Sequence, residues 1–207
     1  MNKKDTLHIA FLDFDDLKNK LLSGGQARAT YEVSQRLVKM GHKVTIICSR
    51  YPGSKDYTKD GIFYKHIGLG TDNIKLNNAA YILLLPFAVR SFTCDVMIEC
   101  FTAPISTLFS PVFTKIPVIG MPTMFEAKEF SGKYNLPFDK VEAFGAKQYK
   151  YFLAYSPINK KKMESLNPKI HTRIIPNGVS EDLFKVKTTE KNYGFFLGRI
   201  DIRQKSL

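Results

Sequence analysis

Two glycines and two cations near the opposite ends of this chain are its residues best suited to gripping an anion. Gly24 and Gly25 lie in the run Leu22-Ser23-Gly24-Gly25-Gln26, between an apolar segment and a helical one. Ser23 with Gln26 three residues on fits a capping box, which predicts both glycines in the first helical turn with unpaired N–H groups. Without Cβ atoms they let an anion approach those N–H groups and the positive end of the helix. A tight strand-to-helix turn needs the same two glycines, so both readings stand. Near the other end, Arg199 and Lys205 follow the aromatic run Tyr193–Gly198. A loop that turns back there brings both to one diphosphate, the guanidinium gripping oxygens in pairs and the ammonium acting as a point charge. Three carboxylates, Asp13, Asp15 and Asp16, close the first apolar run. Either they do chemistry, or Asp13 bonds loop amides while the other two are solvated.

The elements that hold these residues alternate. Leu7–Phe14 is a short apolar run, the pattern of a buried parallel strand whose C-terminal end opens onto a site. Gln26–Met40 has apolar residues at helical spacing and is closed by Gly41. Lys43–Ser49 is β-branched and apolar, which completes a β-α-β unit within about fifty residues and predicts a doubly wound, Rossmann-like parallel α/β sheet. The pattern continues with strands at Gly61–Ile67, Cys94–Cys100, Ile116–Met121, Tyr151–Ser156 and Thr172–Ile175. Helices are expected at Ile74–Arg90, broken near Pro86, at Pro104–Phe113, at Phe138–Tyr149 and at Pro157–Leu166, the last capped by Ser156. Pro122–Pro137 reads as a long loop. Pro176-Asn177-Gly178 is a turn, Ser180 caps a short helical turn, and Lys185–Asn192 reads as a linker.

Composition narrows the functional classes. The 207 residues carry a net charge of +12 with 44% apolar side chains, a basic chain able to build a core. The excess is uneven: residues 1–139 hold 17 basic and 13 acidic side chains, residues 140–207 hold 14 and 6. That asymmetry suits an anionic partner as well as an ordinary lysine-rich surface. Nucleic acid is disfavoured because no recognised binding module accompanies the charge. The longest apolar stretch, Ala79–Val89, contains Pro86 and falls far short of the roughly 20 residues that cross a bilayer. Met1–Leu7 lacks an apolar signal core, so a cytoplasmic protein is expected. Cys48, Cys94 and Cys100 have neither disulfide nor zinc spacing and read as reduced, mostly buried thiols. A nicotinamide enzyme is disfavoured: Gly-x-Gly-x-x-Gly is absent, and the second strand ends in Ser49-Arg50 instead of an acid.

The run FLDFDD resembles the Asp-x-Asp motif of haloacid-dehalogenase-type phosphohydrolases. That resemblance implies Asp13 as nucleophile and Asp15 as acid/base beside Mg²⁺. It also requires a later acidic pair after a strand, and the only adjacent one, Glu181-Asp182, follows a turn beyond the sheet. A more extensive set of motifs, SGGQARATYEVSQRLVKMGHKVTIICS, SPINKKKM, IIPNGVSEDLF and FFLGRIDIRQK, resembles in order the retaining nucleotide-sugar glycosyltransferases of the GT-B fold, family 4.

This resemblance implies two Rossmann-like domains facing across a cleft, the first binding acceptor and the second the sugar nucleotide. Residues 1–184 correspond to the acceptor domain, 185–192 to a linker, and 193–207 to the start of a donor domain that the sequence leaves incomplete. It implies a donor-diphosphate role for Gly24, Gly25, Arg199 and Lys205, no cofactor beyond the nucleotide-sugar co-substrate, and no metal. The acceptor would be a glycan or a lipid-linked sugar. Three departures stand out: the family's glutamate pair would lie beyond residue 207, Pro122-Thr123 stands where many members have a His, and Ser206 replaces the glycine after the loop lysine. Glu126 or Glu99 is then a candidate to contact the sugar. The fragment alone is expected to be inactive. Lysines within Phe138–Met163 suit peripheral contact with an anionic membrane. A non-catalytic ligand-binding α/β module is the remaining alternative.

Overall fold

Alternation along the central strands decides the layering. In β1 (His8–Leu12), Ile9 and Phe11 join one apolar cluster while Ala10 and Leu12 join another; in β2 (Lys43–Ser49), Val44, Ile46 and Cys48 join the first and Ile47 the second. Strands apolar on both sides must be covered on both. Helix α1 (Gly25–Lys39) covers the first side through Tyr31, with Ala27, Thr30 and Ser34 also buried. The second receives Tyr81, Leu85 and Val89 of α2 (Ile74–Ser91), Ala146 of α5 (Phe138–Ala146) and Met163 of α6 (Pro157–Leu166). This computed structural model describes residues 6–22, 24–100, 108–123, 125–179, 181–185 and 192.

The strands form one sheet in the order β3-β4-β2-β1-β5-β6-β7-β8, where β3 is Tyr57–Lys59, β4 Ile62–Ile67, β5 Val96–Glu99, β6 Val118–Gly120, β7 Tyr151–Ala154 and β8 His171–Ile174. Every pairing is parallel except β3 with β4. From β1 the chain moves outward through β2 to β4, then returns along α2 to β5 on the other side of β1. The direction of winding thus reverses between β1 and β5, whose ends are in register at Leu12 and Glu99. Such a switch point, at the carboxyl ends of the strands, is where open α/β folds bind ligands.

The expected doubly wound sheet is present, with local corrections. Between β3 and β4 sits the two-residue turn Asp60-Gly61, with φ of 51° and 77° at the two residues. Asp-Gly is the favoured sequence for a turn needing two positive φ angles, so Gly61 belongs to a hairpin and not to the following strand. Helix α2 is not broken at Pro86 but runs through it, its Tyr81, Leu85 and Val89 buried on both sides of the proline. Side-chain burial there outweighs one missing backbone hydrogen bond. The expected loop Pro122–Pro137 contains α4 (Ala127–Tyr134), which ends at Asn135 in the left-handed conformation. Only Ser110–Phe113 (α3) of the expected Pro104–Phe113 helix is described as helical. Gly41 ends α1 as expected: its N–H reaches Val38 O at 2.9 Å and that of His42 reaches Leu37 O at 3.0 Å, a Schellman pair. Ser156 caps α6, its hydroxyl accepting from Asn159 N–H at 3.2 Å.

By contacts the chain divides into Met1–Asn177 and Gly178–Leu207. The second unit contains a 3₁₀ turn, Glu181–Lys185. Ser23, Ser180, most of the expected linker, the expected strand Tyr193–Gly198 and the residues Arg199, Lys205 and Ser206 lie outside the described residues.

Phe152 is fully buried in the second cluster, whereas Phe87 projects into solvent. Phe152→Ala should lower the unfolding free energy by about 3–5 kcal/mol. Phe87→Ala should change it by no more than about 0.5 kcal/mol. Denaturant unfolding of both variants checks the pair; equal effects would contradict this layering.

Candidate functional site

At the carboxyl ends of β1 and β5 stand acids that the fold has withdrawn from water. Asp13, Asp15 and Asp16 directly follow β1, and Glu99 ends β5; all four are buried. The expectation that Asp15 and Asp16 are solvated does not hold. Each carboxylate has its own partners, because burying an unpaired charge is costly.

Asp13 accepts from the Asp15 N–H at 3.1 Å and from the Thr30 hydroxyl of α1. Gln26 donates to that hydroxyl at 3.1 Å. Asp15 accepts from the Gly24 N–H at 2.7 Å and from the Asp16 N–H at 3.0 Å. Asp16 accepts from the Tyr57 hydroxyl and the Lys18 N–H, both at 2.8 Å, and lies 2.8 Å from His66 Nε2. Glu99 accepts from the Tyr149 hydroxyl at 2.6 Å and the Leu108 N–H at 3.0 Å.

Their proton affinities diverge accordingly. Burial is the main cause that pushes Asp13 up to about 6, Asp15 to about 7 and Glu99 to about 7. Neighbouring carboxylates add to the rise at Asp13 and Asp15. Burial works in the same direction on Asp16, but hydrogen bonds from His66, Lys18 and Tyr57 outweigh it and hold Asp16 below the ordinary carboxylate value. Near neutrality Asp16 is the committed anion of the group, and its partners tie the turn after β1 to β3 and β4.

The glycine pair divides into two roles. Helix α1 begins with Gly24 as its N-cap in an extended conformation, without a side-chain cap. The N-cap is thus Gly24 where Ser23 was expected, and the Gln26 side chain donates to Thr30; Ser23 lies outside the described residues. The Gly24 N–H, expected to be unpaired, is taken by Asp15, and a Cβ on Gly24 would lie 2.9 Å from that carboxylate oxygen. This glycine is required by packing. Around Gly25 a Cβ would meet nothing within 4 Å. The first N–H groups of a helix have no acceptor inside it, so Gly25 stands at an open, electropositive entrance.

The candidates for contact with the sugar fare differently. Glu99 is wholly buried with both oxygens engaged, which makes it a support for the chain after β5. Glu126 is exposed at the start of α4. Asp13, the phosphohydrolase nucleophile of the alternative reading, is 1% exposed, and the Asp15 carboxylate accepts from the Gly24 N–H. The donor atoms of Asp16, Cys48 and His66 lie within 4.8 Å of one another and are the candidate metal ligands among the described residues. His66 Nε2 lies 2.8 Å from Asp16, while the Cys48 thiol, its pKa pushed up by burial, donates to Lys65 O at 3.6 Å. The three cysteines are free, two buried and Cys94 half-buried. The Asp16–His66–Tyr57 and Glu99–Tyr149 links escaped sequence reasoning, since their partners are 35 or more residues apart; the Asp60-Gly61 hairpin was the available signal for the first.

A sheet reversing at β1, with a glycine-opened helix start beside it, invites comparison with sugar-nucleotide enzymes. The family profile of Glycosyltransferase Family 4 matches residues 23–183, more than three quarters of the chain. The chain belongs to this family. Its sheet is the Rossmann-like N-terminal half of a GT-B fold. Among solved structures it is similar to a sucrose-phosphate synthase from Thermosynechococcus elongatus, at TM-score 0.65 and 12% identity over 85% of this chain and 49% of that one. A glycosyltransferase from Rickettsia africae aligns at TM-score 0.50 and 20% identity, covering 87% of this chain and 45% of the other. HepE of Anabaena, solved with UDP and glucose, aligns at 0.54 and 12% over 86% and 46%. The chain spans about half the length of these proteins. None of the curated proteins matches it in sequence.

Stability should record the raised acids of this family 4 domain. Asp13, Asp15 and Glu99 bind protons more tightly folded than unfolded, so between their unfolded values near 4 and folded values of 6 to 7 they lose stabilising effect as pH rises. Asp16 acts oppositely, its contribution vanishing only as pH falls through its depressed value. The melting temperature should therefore be higher at about pH 5 than at about pH 8, and Asp15→Asn should flatten that slope. A melting temperature that rises over this interval would contradict the assignment.

Proposed function

We propose that this chain is the acceptor-side half of a retaining glycosyltransferase that moves a sugar from a nucleotide-sugar donor to a glycan or lipid-linked acceptor, without a metal ion. The observation that carries this reading is the open start of α1 at Gly25, set at the β1–β5 reversal in a family 4 domain. HepE, a protein of the same fold, was solved with UDP and glucose, which supports a nucleotide sugar as donor.

In this mechanism the departing nucleoside diphosphate gathers negative charge as the glycosidic bond to the sugar breaks. Gly25 turns backbone N–H dipoles toward it. Arg199 and Lys205 supply two positive charges from the loop after Tyr193–Gly198, and together these groups do the work of a cation. Gly24 holds the turn in place through Asp15 instead of meeting the phosphates itself. Glu126 is the carboxylate free to meet sugar hydroxyls. The paired glutamates of the family would come from a second domain, and on this reading the 207 residues alone are inactive.

The test compares the 207-residue chain with a protein in which it continues into a second α/β half. The chain alone should transfer no sugar, and the longer protein should. In the latter, Arg199→Ala or Lys205→Ala should lower kcat/KM by about 10²–10³-fold, as removal of one charge-stabilising group does elsewhere. Turnover by the 207 residues alone, or indifference to both substitutions, would overturn the reading. A Mg²⁺-dependent phosphatase activity abolished by Asp13→Asn would favour the phosphohydrolase instead.

A further inference from the structure

Helix α2 has two apolar sides, of which one is buried and the other exposed among the described residues. Asn77, Tyr81, Leu85 and Val89, four residues apart, are buried. On the opposite side Leu76, Leu83 and Phe87 form a second line, with Leu83 and Phe87 both 70% exposed and Leu84 beside them. A helix on the surface of a folded domain ordinarily turns polar residues outward.

The apolar surface continues onto neighbouring elements. Helix α3 packs against α2 and exposes Val112 and Phe113. The ring of Phe109, just before α3, lies 5.7 Å from that of Phe144 on α5, and Phe144 is 61% exposed. Cations surround this surface: Lys75 and Arg90 near the two ends of α2, Lys115 after α3, and Lys140 and Lys147 on and just after α5, all exposed. Asp72, Asp139 and Glu142 are the acids in the same segments; Asp139 is engaged by the Ser131 hydroxyl at 2.9 Å, and Glu142 is buried, 3.9 Å from Lys162 Nζ. The outer side of α1 is built differently, with Arg28 and Arg36 each paired to Glu32 at 2.6 and 2.9 Å.

We propose that the outer face of α2, α3 and α5 docks on a bilayer rich in anionic lipid. Leucine and phenylalanine enter the acyl boundary while the rim of lysine and arginine meets the headgroups. Charge selects this occupant: a protein partner for an apolar patch does not require a cationic rim, whereas an anionic membrane does. Two of the three α6 lysines are engaged within the domain, Lys162 by Phe125 O and by Glu142 at 3.9 Å and Lys160 by Glu164 at 3.7 Å. This deepens the transferase reading by placing its acceptor on a lipid surface, and since vesicle binding needs no sugar nucleotide, its failure would leave the donor reading standing.

The experiment is co-sedimentation of the 207-residue chain with vesicles of phosphatidylcholine alone and with added phosphatidylglycerol. The chain should sediment with the anionic vesicles only, and high salt should release it. Leu83→Glu with Phe87→Glu should weaken binding at least about tenfold while leaving the melting temperature unchanged, since both side chains are exposed. Lys140→Glu with Lys147→Glu should weaken it with a shallower salt dependence. The proposal is overturned if the chain stays in the supernatant with both vesicles, or if the Leu83/Phe87 variant sediments like the parent. It is equally overturned if sedimentation velocity shows the patch joining two copies while vesicles are ignored.

Discussion

The hydrogen bond from the Gly24 N–H to the Asp15 carboxylate, 2.7 Å long and partly buried, is the contact on which the arrangement of the site depends. It closes the turn between β1 and α1 and fixes where the helix begins. It also decides which backbone donors are offered outward. Gly24 gives its N–H to the interior, and Gly25 is left facing open space. Substituting Gly24 would push a Cβ into the carboxylate, so conformation and contact are specified by the same atoms.

That turn is anchored on both sides of the sheet reversal. Toward β2, β3 and β4, Asp16 is held by His66 and Tyr57, and toward α1, Asp13 is held by Thr30. Across the reversal Glu99 holds the Leu108 N–H and the Tyr149 hydroxyl. Four acids buried around this reversal would repel one another if all were ionised. Their environments resolve this by keeping Asp16 charged and raising the other three toward neutrality. Family 4 membership gives this arrangement a chemical setting.

Much of the sheet was legible because its central strands are apolar on both sides and a few residues, such as Gly41 and Ser156, mark helix ends. Lys43–Ser49 and Pro157–Leu166 have in the structure the bounds that the residues imply, and Gly41 and Ser156 act as the sequence pattern says. The departures have physical causes. Pro86 reads as a break, yet the buried side of α2 holds the helix together through it. Tyr57–Lys59 is too short and too polar to signal a strand, although Asp60-Gly61 carried the hairpin signal. Within Pro122–Pro137, α4 has eight residues and one of them, Ala127, is buried, too little periodicity to reveal it. At the site, residue types pointed to Asp13, Gly24 and Gly25, but which N–H groups were spent and which acids were buried depended on contacts between distant segments. Asp16 with His66, fifty residues apart, and Glu99 with Tyr149, also fifty apart, exist only once the sheet is assembled.

The account turns on the division of labour between the two glycines, and amide NMR reads it directly. When UDP is added to a protein carrying this domain and its second half, the Gly25 and Gln26 amide resonances should move while that of Gly24, spent on Asp15, holds its position. Equal movement of Gly24, or resonances at Gly25 that ignore UDP at saturating concentration, would contradict it.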